Sequence, residues 1–360
     1  MLKRTVLFLL LAITLFSCST ATFNEATVTP DLDLLLINGL VYDGSGGEPY
    51  RADIGIVDDR IAAIGTGLGS AGQTIDASGL AVAPGFINML SWATETLIED
   101  GLSQSDIRQG VTLEVVGEGW SMGPMNAAMK TEYLKRQGDI RFDIEWTTLG
   151  EYLQYLENKG VSTNIASFVG ATTVRIHELG YEDRAPSADE LERMQALVSQ
   201  AMREGALGVA SSLIYAPAFY ADTAELIALN KTAAEYGGRY ISHLRSEGNQ
   251  LLEAVDELIT IAGEAQIGAE IYHLKAAGKD NWHKIEQVFD KVEAARANGL
   301  DITADMYTYT AGATGLDAAM PPWVQEGGLA KWIERLRDPV IRERLITEIS
   351  TPTDDWENLY

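Results

Sequence analysis

From residue 84 onward, short apolar segments alternate along the chain with stretches in which apolar residues recur at helical spacing. The short segments are rich in β-branched residues and predict seven strands, at 86–90, 112–117, 163–170, 206–212, 239–244, 269–274 and 300–305. The clearest helix between them is predicted from Ser187, which forms a capping box with Glu190, to Gly205. Because a parallel strand is reached through a crossover, this alternation predicts an α/β fold with parallel strands.

The leading interpretation is a (β/α)8 TIM-like barrel over residues 84–360, with its eighth strand missing from this chain. A doubly wound open sheet is the alternative architecture. The glycines at 44, 46 and 47 precede no helix, so no dinucleotide-binding fingerprint is present. Residues 31–83 contain β-rich runs separated by turn signals, which predicts a small N-terminal β domain arranged as a meander.

The first 18 residues have the pattern of an export signal. Lys3 and Arg4 precede an apolar run that is short for a membrane span, and Cys18 follows in a segment that resembles the lipobox of bacterial lipoproteins. A plain signal peptide and an N-terminal anchor helix are the alternatives. Residues 19–30 are predicted to be a polar linker. We therefore expect export to the bacterial periplasm, with membrane attachment only through a lipid on Cys18.

Charge narrows the class of partner. The 360 residues include 52 acidic and 27 basic side chains, and the formal net charge is -25. Nucleic-acid binding needs clustered lysine and arginine, and the acidic residues here are spread along the whole chain. A nucleic-acid partner is therefore excluded, and a small molecule is the expected substrate.

The candidate chemistry lies at the predicted strand ends. Two of the four histidines, His243 and His273, close two neighbouring strands, where the carboxyl ends of a parallel barrel converge. Glu118 follows the second strand, between Gly117 and Gly119. Since neutral imidazole is a common metal ligand, the two histidines predict a divalent metal site with Glu118 as the third ligand. A solvated loop carboxylate is the alternative interpretation of Glu118.

Around these positions the chain resembles the D-aminoacylase group, the N-acyl-D-amino-acid deacylases of the amidohydrolase superfamily. The similarity extends from about Asp33 to the last residue. Its segments are AVAPGFIN, DIRQGVTLEVVGEG, NIASFVGATTVR, AMREGALGVASSLIYAPAFYADTAELIALNKTAAEYGGRYISHLRSEG, IYHLKAAG and ADMYTYTAGATGL. The resemblance implies a metal-dependent barrel with a small β domain, which agrees with the pattern of strands and helices.

Position by position, the resemblance implies that His243 and His273 are zinc ligands and that Lys275 and Tyr307 hold the α-carboxylate of the substrate. Arg245 is a further candidate substrate-binding residue. It stands with Glu247 in a segment that recurs in the family, for which support of the ligand residues and an ion pair within the loop are the alternative roles.

The chain also departs from the family pattern. Leu90 and Trp92 stand where most relatives have the two histidines of His-x-His, and Gly119 stands where relatives have a cysteine ligand. Glu118 can replace that cysteine as an oxygen ligand. Ala313 replaces a serine that lies near the substrate in relatives. These departures predict one tightly bound zinc ion.

The implied reaction is hydrolysis of an N-acyl-D-amino acid to a carboxylic acid and a D-amino acid. In the family the general base is an aspartate after the eighth strand, so it is expected beyond Tyr360, and no catalytic residue is assigned within this chain. A non-catalytic ligand-binding relative is one alternative. An amidohydrolase that acts on cyclic amides or peptides is another.

Overall fold

A computed structural model describes residues 31–350 of the chain. The predicted signal segment 1–18 and linker 19–30 lie outside the described residues. The chain divides into two compact units, one ending at Pro84 and one beginning at Gly85.

The first unit is a five-stranded sheet formed by β1 (Leu32–Val41), β2 (Tyr50–Val57), β3 (Arg60–Gly65), β4 (Ala71–Asp76) and β5 (Ala81–Val82). The antiparallel path β1-β2-β3 is the predicted meander. The meander prediction is wrong for the last two strands, because β4 and β5 both pair with β1 in parallel. Parallel pairing depends on contacts between distant residues, which local turn signals do not encode.

The second unit contains eight short strands that form only parallel pairs: β6 (Phe86–Asn88), β7 (Val111–Val116), β8 (Asn164–Ser167), β9 (Val169–Gly170), β10 (Gly208–Ser212), β11 (Arg239–His243), β12 (Gly268–Ile271) and β13 (Ile302–Ala304). They form two sheets, β6-β7-β8 and β9-β10-β11-β12-β13. Each strand pairs with its neighbour in sequence. Within residues 31–350 the two sheets are not closed into a barrel.

Each of the seven predicted strands overlaps an observed strand, and one of them contains two. The predicted strand 163–170 is divided into β8 and β9, which pair with β7 and β10 respectively. At the division, the amide of Phe168 donates to the carbonyl oxygen of Val116 at 3.0 Å. Residues 163–170 therefore link the two sheets.

Twelve α-helices lie between and after these strands in the described residues. They are α1 (Thr96–Glu99), α2 (Gln104–Ile107), α3 (Ala127–Arg136), α4 (Leu149–Lys159), α5 (Ala171–Leu179), α6 (Ala188–Arg203), α7 (Thr223–Ala234), α8 (Leu251–Ala265), α9 (Ile285–Ala297), α10 (Pro322–Gln325), α11 (Leu329–Arg337) and α12 (Pro339–Ile349). The predicted capping box of Ser187 and Glu190 begins α6, with both of its hydrogen bonds formed.

Two apolar clusters hold the second unit together. The larger one packs the helices against one side of the strands. The smaller one is formed by one inward-facing side chain from each of five consecutive segments, namely Val115, Phe168, Ala210, Ile241 and Tyr272. Since Val115, Ala210 and Ile241 precede the last residues of their strands, the polar residues at the carboxyl ends lie above a closely packed apolar layer.

Among residues 31–350, no helix has both the length and the apolar character needed to cross a bilayer.

A buried ion pair joins two helices of the second unit. Arg175 of α5 and Glu225 of α7 form a hydrogen-bonded pair, and their side chains are only 1% and 2% exposed. The guanidinium also donates to the carbonyl oxygen of Arg184 at 2.5 Å. Because a buried charge is costly without its partner, the pair fixes the position of α5 relative to α7.

We expect Arg175→Ala to lower the free energy of unfolding by about 3 to 5 kcal/mol, since it leaves the Glu225 carboxylate buried and unpaired. Lys331→Ala is the matched control, because its pair with Glu334 is 60% and 71% exposed. The control should change stability by less than about 1 kcal/mol. Chemical denaturation measures both, and equal effects of the two substitutions would contradict a structural role for the buried pair.

Candidate metal centre

Three predicted ligands meet at the carboxyl ends of three parallel strands, β7 and the neighbouring β11 and β12. Glu118 lies two residues after β7, His243 is the last residue of β11, and His273 lies two residues after β12. All three side chains are buried, and one ligand atom from each lies within 4.8 Å of the others. In the described part of the chain they are the only group of three or more histidine, cysteine or acidic residues with this geometry.

One carboxylate oxygen lies between the two imidazole rings. Oε1 of Glu118 is 3.0 Å from Nδ1 of His243 and 3.3 Å from Nε2 of His273. The ring centroids are 4.6 Å apart and the ring planes are nearly perpendicular, at 87°. The two nitrogens therefore face the same oxygen from different directions, as ligands of one ion would.

The loop that carries Glu118 depends on its flanking glycines. Gly117 and Gly119 have φ values of +107° and +66°, which favour glycine. A Cβ at position 119 would lie 2.6 Å from Oγ of Ser212 and 2.8 Å from its amide nitrogen. A side chain at position 119, such as the cysteine that the family resemblance implies for relatives, does not fit this backbone, and the carboxylate that faces the histidines stands one residue earlier, at Glu118.

The backbone at His273 is also in the left-handed region, with φ at +35°. Its amide donates to Oδ1 of Asp305 at 2.6 Å, and Asp305 directly follows β13. A side chain other than glycine holds such a conformation only where its surroundings stabilise it. Asp305 thus fixes the backbone from which the His273 ring projects.

A second carboxylate lies on the far side of the rings. Oε1 of Glu247 is 3.0 Å from Nδ1 of His273 and 3.8 Å from Nε2 of His243. Nζ of Lys275 donates to the same Glu247 oxygen at 2.6 Å. A carboxylate at Nδ1 favours a proton on that nitrogen, so that in the neutral ring Nε2 is the nitrogen available to a metal ion.

These contacts set the protonation of the cluster. Burial opposes ionisation of Glu118, but hydrogen bonds from both histidines lower its pKa below the ordinary value. Burial likewise opposes protonation of His273, yet Glu118 and Glu247 outweigh burial and raise its pKa to about 9. The cluster therefore attracts positive charge, and a cation competes with a proton for the same buried space.

Of the three predicted substrate-binding residues, Lys275 and Tyr307 lie beside the cluster and Arg245 does not. Nζ of Lys275 is 3.0 Å from Nδ1 of His273 and 5.7 Å from the ring centroid of Tyr307. The rings of Tyr307 and His273 are 6.4 Å apart. Lys275 and the half-buried Tyr307 thus lie together beside the cluster.

Arg245 points elsewhere. Its guanidinium makes two hydrogen bonds to Glu257 of α8, at 2.8 and 2.9 Å, and donates to the carbonyl oxygens of Phe219 and Ala221. The ion pair of Arg245 is thus with a helix and not within the loop, and these contacts offer no support for substrate binding. Sequence reasoning could not separate the two roles, because the position of α8 relative to the strand end is a tertiary feature.

The positions that depart from the family pattern are not polar here. Leu90 packs against the inward-facing apolar cluster of Val115, Phe168, Ala210, Ile241 and Tyr272. Trp92 is 67% exposed, and Ala313 is exposed in the segment after β13. At Leu90, apolar packing takes the place of a ligand.

Asp305 and Tyr215 were not identified from the sequence as residues of this site. The ring of Tyr215 lies edge-on to His243, with the centroids 5.4 Å apart. Asp305 carried a usable signal, because an aspartate directly after a strand lies at the same edge as the two histidines. Tyr215 carried none, because the path of the loop after β10 is not encoded locally.

No family model matches the chain. The D-aminoacylase of Alcaligenes xylosoxydans xylosoxydans is 35% identical over 289 residues, which are 79% of this chain and 59% of that enzyme. The chain thus spans less than two thirds of the length of this relative.

Two solved structures resemble the chain closely. One is the N-acyl-D-glutamate deacylase of Bordetella bronchiseptica, complexed with zinc and a phosphonate mimic of the tetrahedral intermediate. It is 31% identical, with a TM-score of 0.69, over 78% of this chain and 59% of that one. The other is a D-aminoacylase whose binuclear metal centre shows one-metal activation and second-metal attenuation. It is 33% identical to this chain, with the same TM-score and the same coverage. In sequence and in fold, the chain resembles the N-acyl-D-amino-acid deacylases of the D-aminoacylase group.

Proposed function

We propose that the protein is a zinc-dependent amide hydrolase that converts N-acyl-D-amino acids to a carboxylic acid and a D-amino acid. The observation that carries the proposal is the convergence of Glu118, His243 and His273 on one point at the strand ends. The similarity to enzymes with this activity supports the choice of substrate.

The proposed architecture is a complete (β/α)8 barrel. Seven consecutive segments pair in sequence order, without the reversal of strand order that a doubly wound sheet requires. The inward-facing layer that includes Val115 and Tyr272 spans both sheets, as in a closed cylinder. The eighth strand and the general-base aspartate that the family resemblance implies are not assigned within the described residues 31–350.

The three donor groups fit zinc. Catalytic zinc sites use three protein ligands with an open fourth position, and two histidines with one glutamate is a common set. Ligand atoms about 2.0 to 2.2 Å from a tetrahedral ion lie about 3.3 to 3.5 Å apart. The distances of 3.0 and 3.3 Å from Glu118 Oε1 to the two nitrogens approach that spacing. A zinc ion there would polarise the amide carbonyl and make water more acidic.

One ion fits better than two. Leu90 and Trp92 offer no metal ligands at the positions where most relatives have His-x-His, and Leu90 packs in an apolar layer. The proposed site therefore holds a single zinc ion, between Glu118 and the two histidines.

The remaining residues have positioning roles. Glu247 holds the Nδ1 side of His273 and so directs Nε2 toward the ion. Lys275 and Tyr307 lie beside His273, where an ammonium and a phenol can hold the α-carboxylate of the substrate. This contact would fix the scissile amide relative to the ligands and supply the orientation that lowers the barrier.

We further propose that the protein is exported and anchored through a lipid on Cys18. The support is the order of the first residues, with Lys3 and Arg4 before an apolar run and a lipobox-like segment. Fractionation of bacteria that produce the protein should place it in the membrane fraction, and Cys18→Ser should release it from that fraction. Unchanged distribution after this substitution would refute the lipid anchor.

The proposed activity predicts that His243 and His273 are essential and that the histidines outside the cluster are not. His243→Ala and His273→Ala should each remove bound zinc and lower kcat/KM by roughly a thousandfold or more, because a catalytic metal supplies several kcal/mol. His283→Ala is the control, since His283 is exposed on a 3-10 turn and lies outside the cluster. Zinc content by mass spectrometry and hydrolysis of N-acetyl-D-amino acids measure the two effects.

The same assay separates the alternatives. L-amino acid derivatives and cyclic imides are tested beside the D-compounds. Hydrolysis of cyclic imides alone would indicate a cyclic amidohydrolase. Bound zinc with no hydrolysis of any of these compounds would instead favour a ligand-binding protein, and either result would refute the proposed reaction.

Removing the charge of Glu247 should weaken zinc binding without removing a ligand. We expect Glu247→Gln to lower zinc affinity by roughly 10- to 100-fold, because the partner that orients His273 is lost. Competition with a chelator measures the affinity. Glu253→Gln is the matched control, on the neighbouring helix α8 and away from the cluster. Unchanged zinc affinity in Glu247→Gln would rule out the orienting role.

A further inference from the structure

Trp120, two residues after Glu118, forms part of the wall of a cavity of about 320 Å³. Its wall is built from loops that follow four strands, with Glu95 after β6, Trp120 after β7, Thr172 after β9, and Ala216 and Pro217 after β10. Helix α3 closes one side with Met129 and Tyr133. The cavity therefore opens among the loops at the carboxyl ends of the strands, as the cluster does.

Backbone contacts tie this wall to the metal ligands. The amide of Trp120 donates to the carbonyl oxygen of Glu118 at 2.7 Å, and the amide of Thr172 donates to the carbonyl oxygen of Gly119 at 2.9 Å. Ala216 follows Tyr215, whose ring contacts His243 edge-on. The backbone thus links the wall of the cavity to the loop of Glu118.

The opposite side of the cluster has a different character. Lys275 and Tyr307 follow β12 and β13, beyond His273 in the strand order. A molecule with its amide at the ligands and its carboxylate at Lys275 would extend its other end toward the cavity. In the strand order, β11 with His243 therefore lies between the strands that carry the cavity wall and the strands followed by Lys275 and Tyr307.

One part of the inner surface of the cavity is aromatic and apolar, and the rest is polar. The rings of Trp120 and Tyr133 are stacked, with centroids 6.5 Å apart, and Met129 and Ile176 are buried beneath them. The hydroxyl of Tyr133 donates to Glu95. Such a surface gains free energy by covering an apolar group.

The charges of the lining oppose anions. Glu132 and Arg136 pair with each other at 3.2 Å, so the carboxylate of Glu95 is left as the charge without a basic partner in the lining. A second carboxylate brought into the cavity would be repelled by Glu95.

We propose that this cavity binds the acyl group of the substrate and selects uncharged aromatic or medium-length aliphatic acyl groups. The inference rests on the proposed function and names the part of the substrate that the function leaves open. An acetyl group would fill a small part of 320 Å³, whereas a phenylacetyl group would cover the Trp120 and Tyr133 rings.

The test compares N-acetyl, N-phenylacetyl and N-succinyl derivatives of one D-amino acid with the intact, zinc-loaded protein. We expect kcat/KM for the phenylacetyl compound to exceed that for the acetyl compound by roughly 10- to 100-fold, as burial of a phenyl ring implies. The succinyl compound should be the poorest of the three.

Two substitutions change the cavity in opposite ways. Trp120→Ala removes part of the wall. Gly138→Trp adds a side chain at a lining position where an added Cβ meets no atom within 4 Å. Each should lower the ratio of phenylacetyl to acetyl kcat/KM by about tenfold. Trp282→Ala is the control, because Trp282 is 61% exposed and lies outside the cavity, and it should leave the ratio unchanged.

The outcomes distinguish the two proposals. If the unaltered protein hydrolyses no N-acyl-D-amino acid, the proposed function fails and the acyl assignment fails with it. If it hydrolyses them but Gly138→Trp and Trp120→Ala leave the ratio unchanged, only the acyl assignment is overturned. A preference for the succinyl compound would likewise overturn it. Should Trp120→Ala fail to fold, the result for Gly138→Trp decides.

Discussion

The second unit is organised around a single buried carboxylate oxygen that faces two imidazoles. An ionised glutamate in this position is tolerated only if positive charge stands beside it, as protonated histidine or as a cation. The surrounding structure meets that condition from several directions. Glycines shape the loop of Glu118, Asp305 fixes the backbone of His273, and Glu247 holds the other face of its ring. The strand ends must also converge, because Glu118 and the two histidines come from separate strands and meet only there.

Much of this arrangement is written in local sequence. Apolar, β-branched runs with helical stretches between them identify every parallel segment of the second unit, because strand and helix periods differ along the chain. His243 and His273 each end such a run, so their meeting follows once the strands are parallel neighbours. Glu118 is identified by its place after the second strand, between two glycines.

Other features depend on contacts between distant residues. The division of segment 163–170 reflects a change of pairing partner from β7 to β10, which its own residues do not announce. Arg245 stands two residues after His243, yet its guanidinium forms an ion pair with Glu257 of α8. Parallel pairing of β4 with β1 likewise reverses the expected meander. In each case, residues that are distant in sequence determine which strand or side chain becomes the partner, and the local sequence pattern allows more than one.

The left-handed backbone at His273 restricts how this centre can evolve. Any residue that replaces this histidine as a ligand must offer a donor atom and also accept a positive φ. Histidine, aspartate and asparagine adopt that region more readily than other residues with side chains, whereas β-branched and bulky residues are outliers there. Only a few amino acids can therefore replace the residue at position 273 if substitutions adapt the centre to a different metal. His243 lies in regular strand geometry, and its backbone sets no such limit.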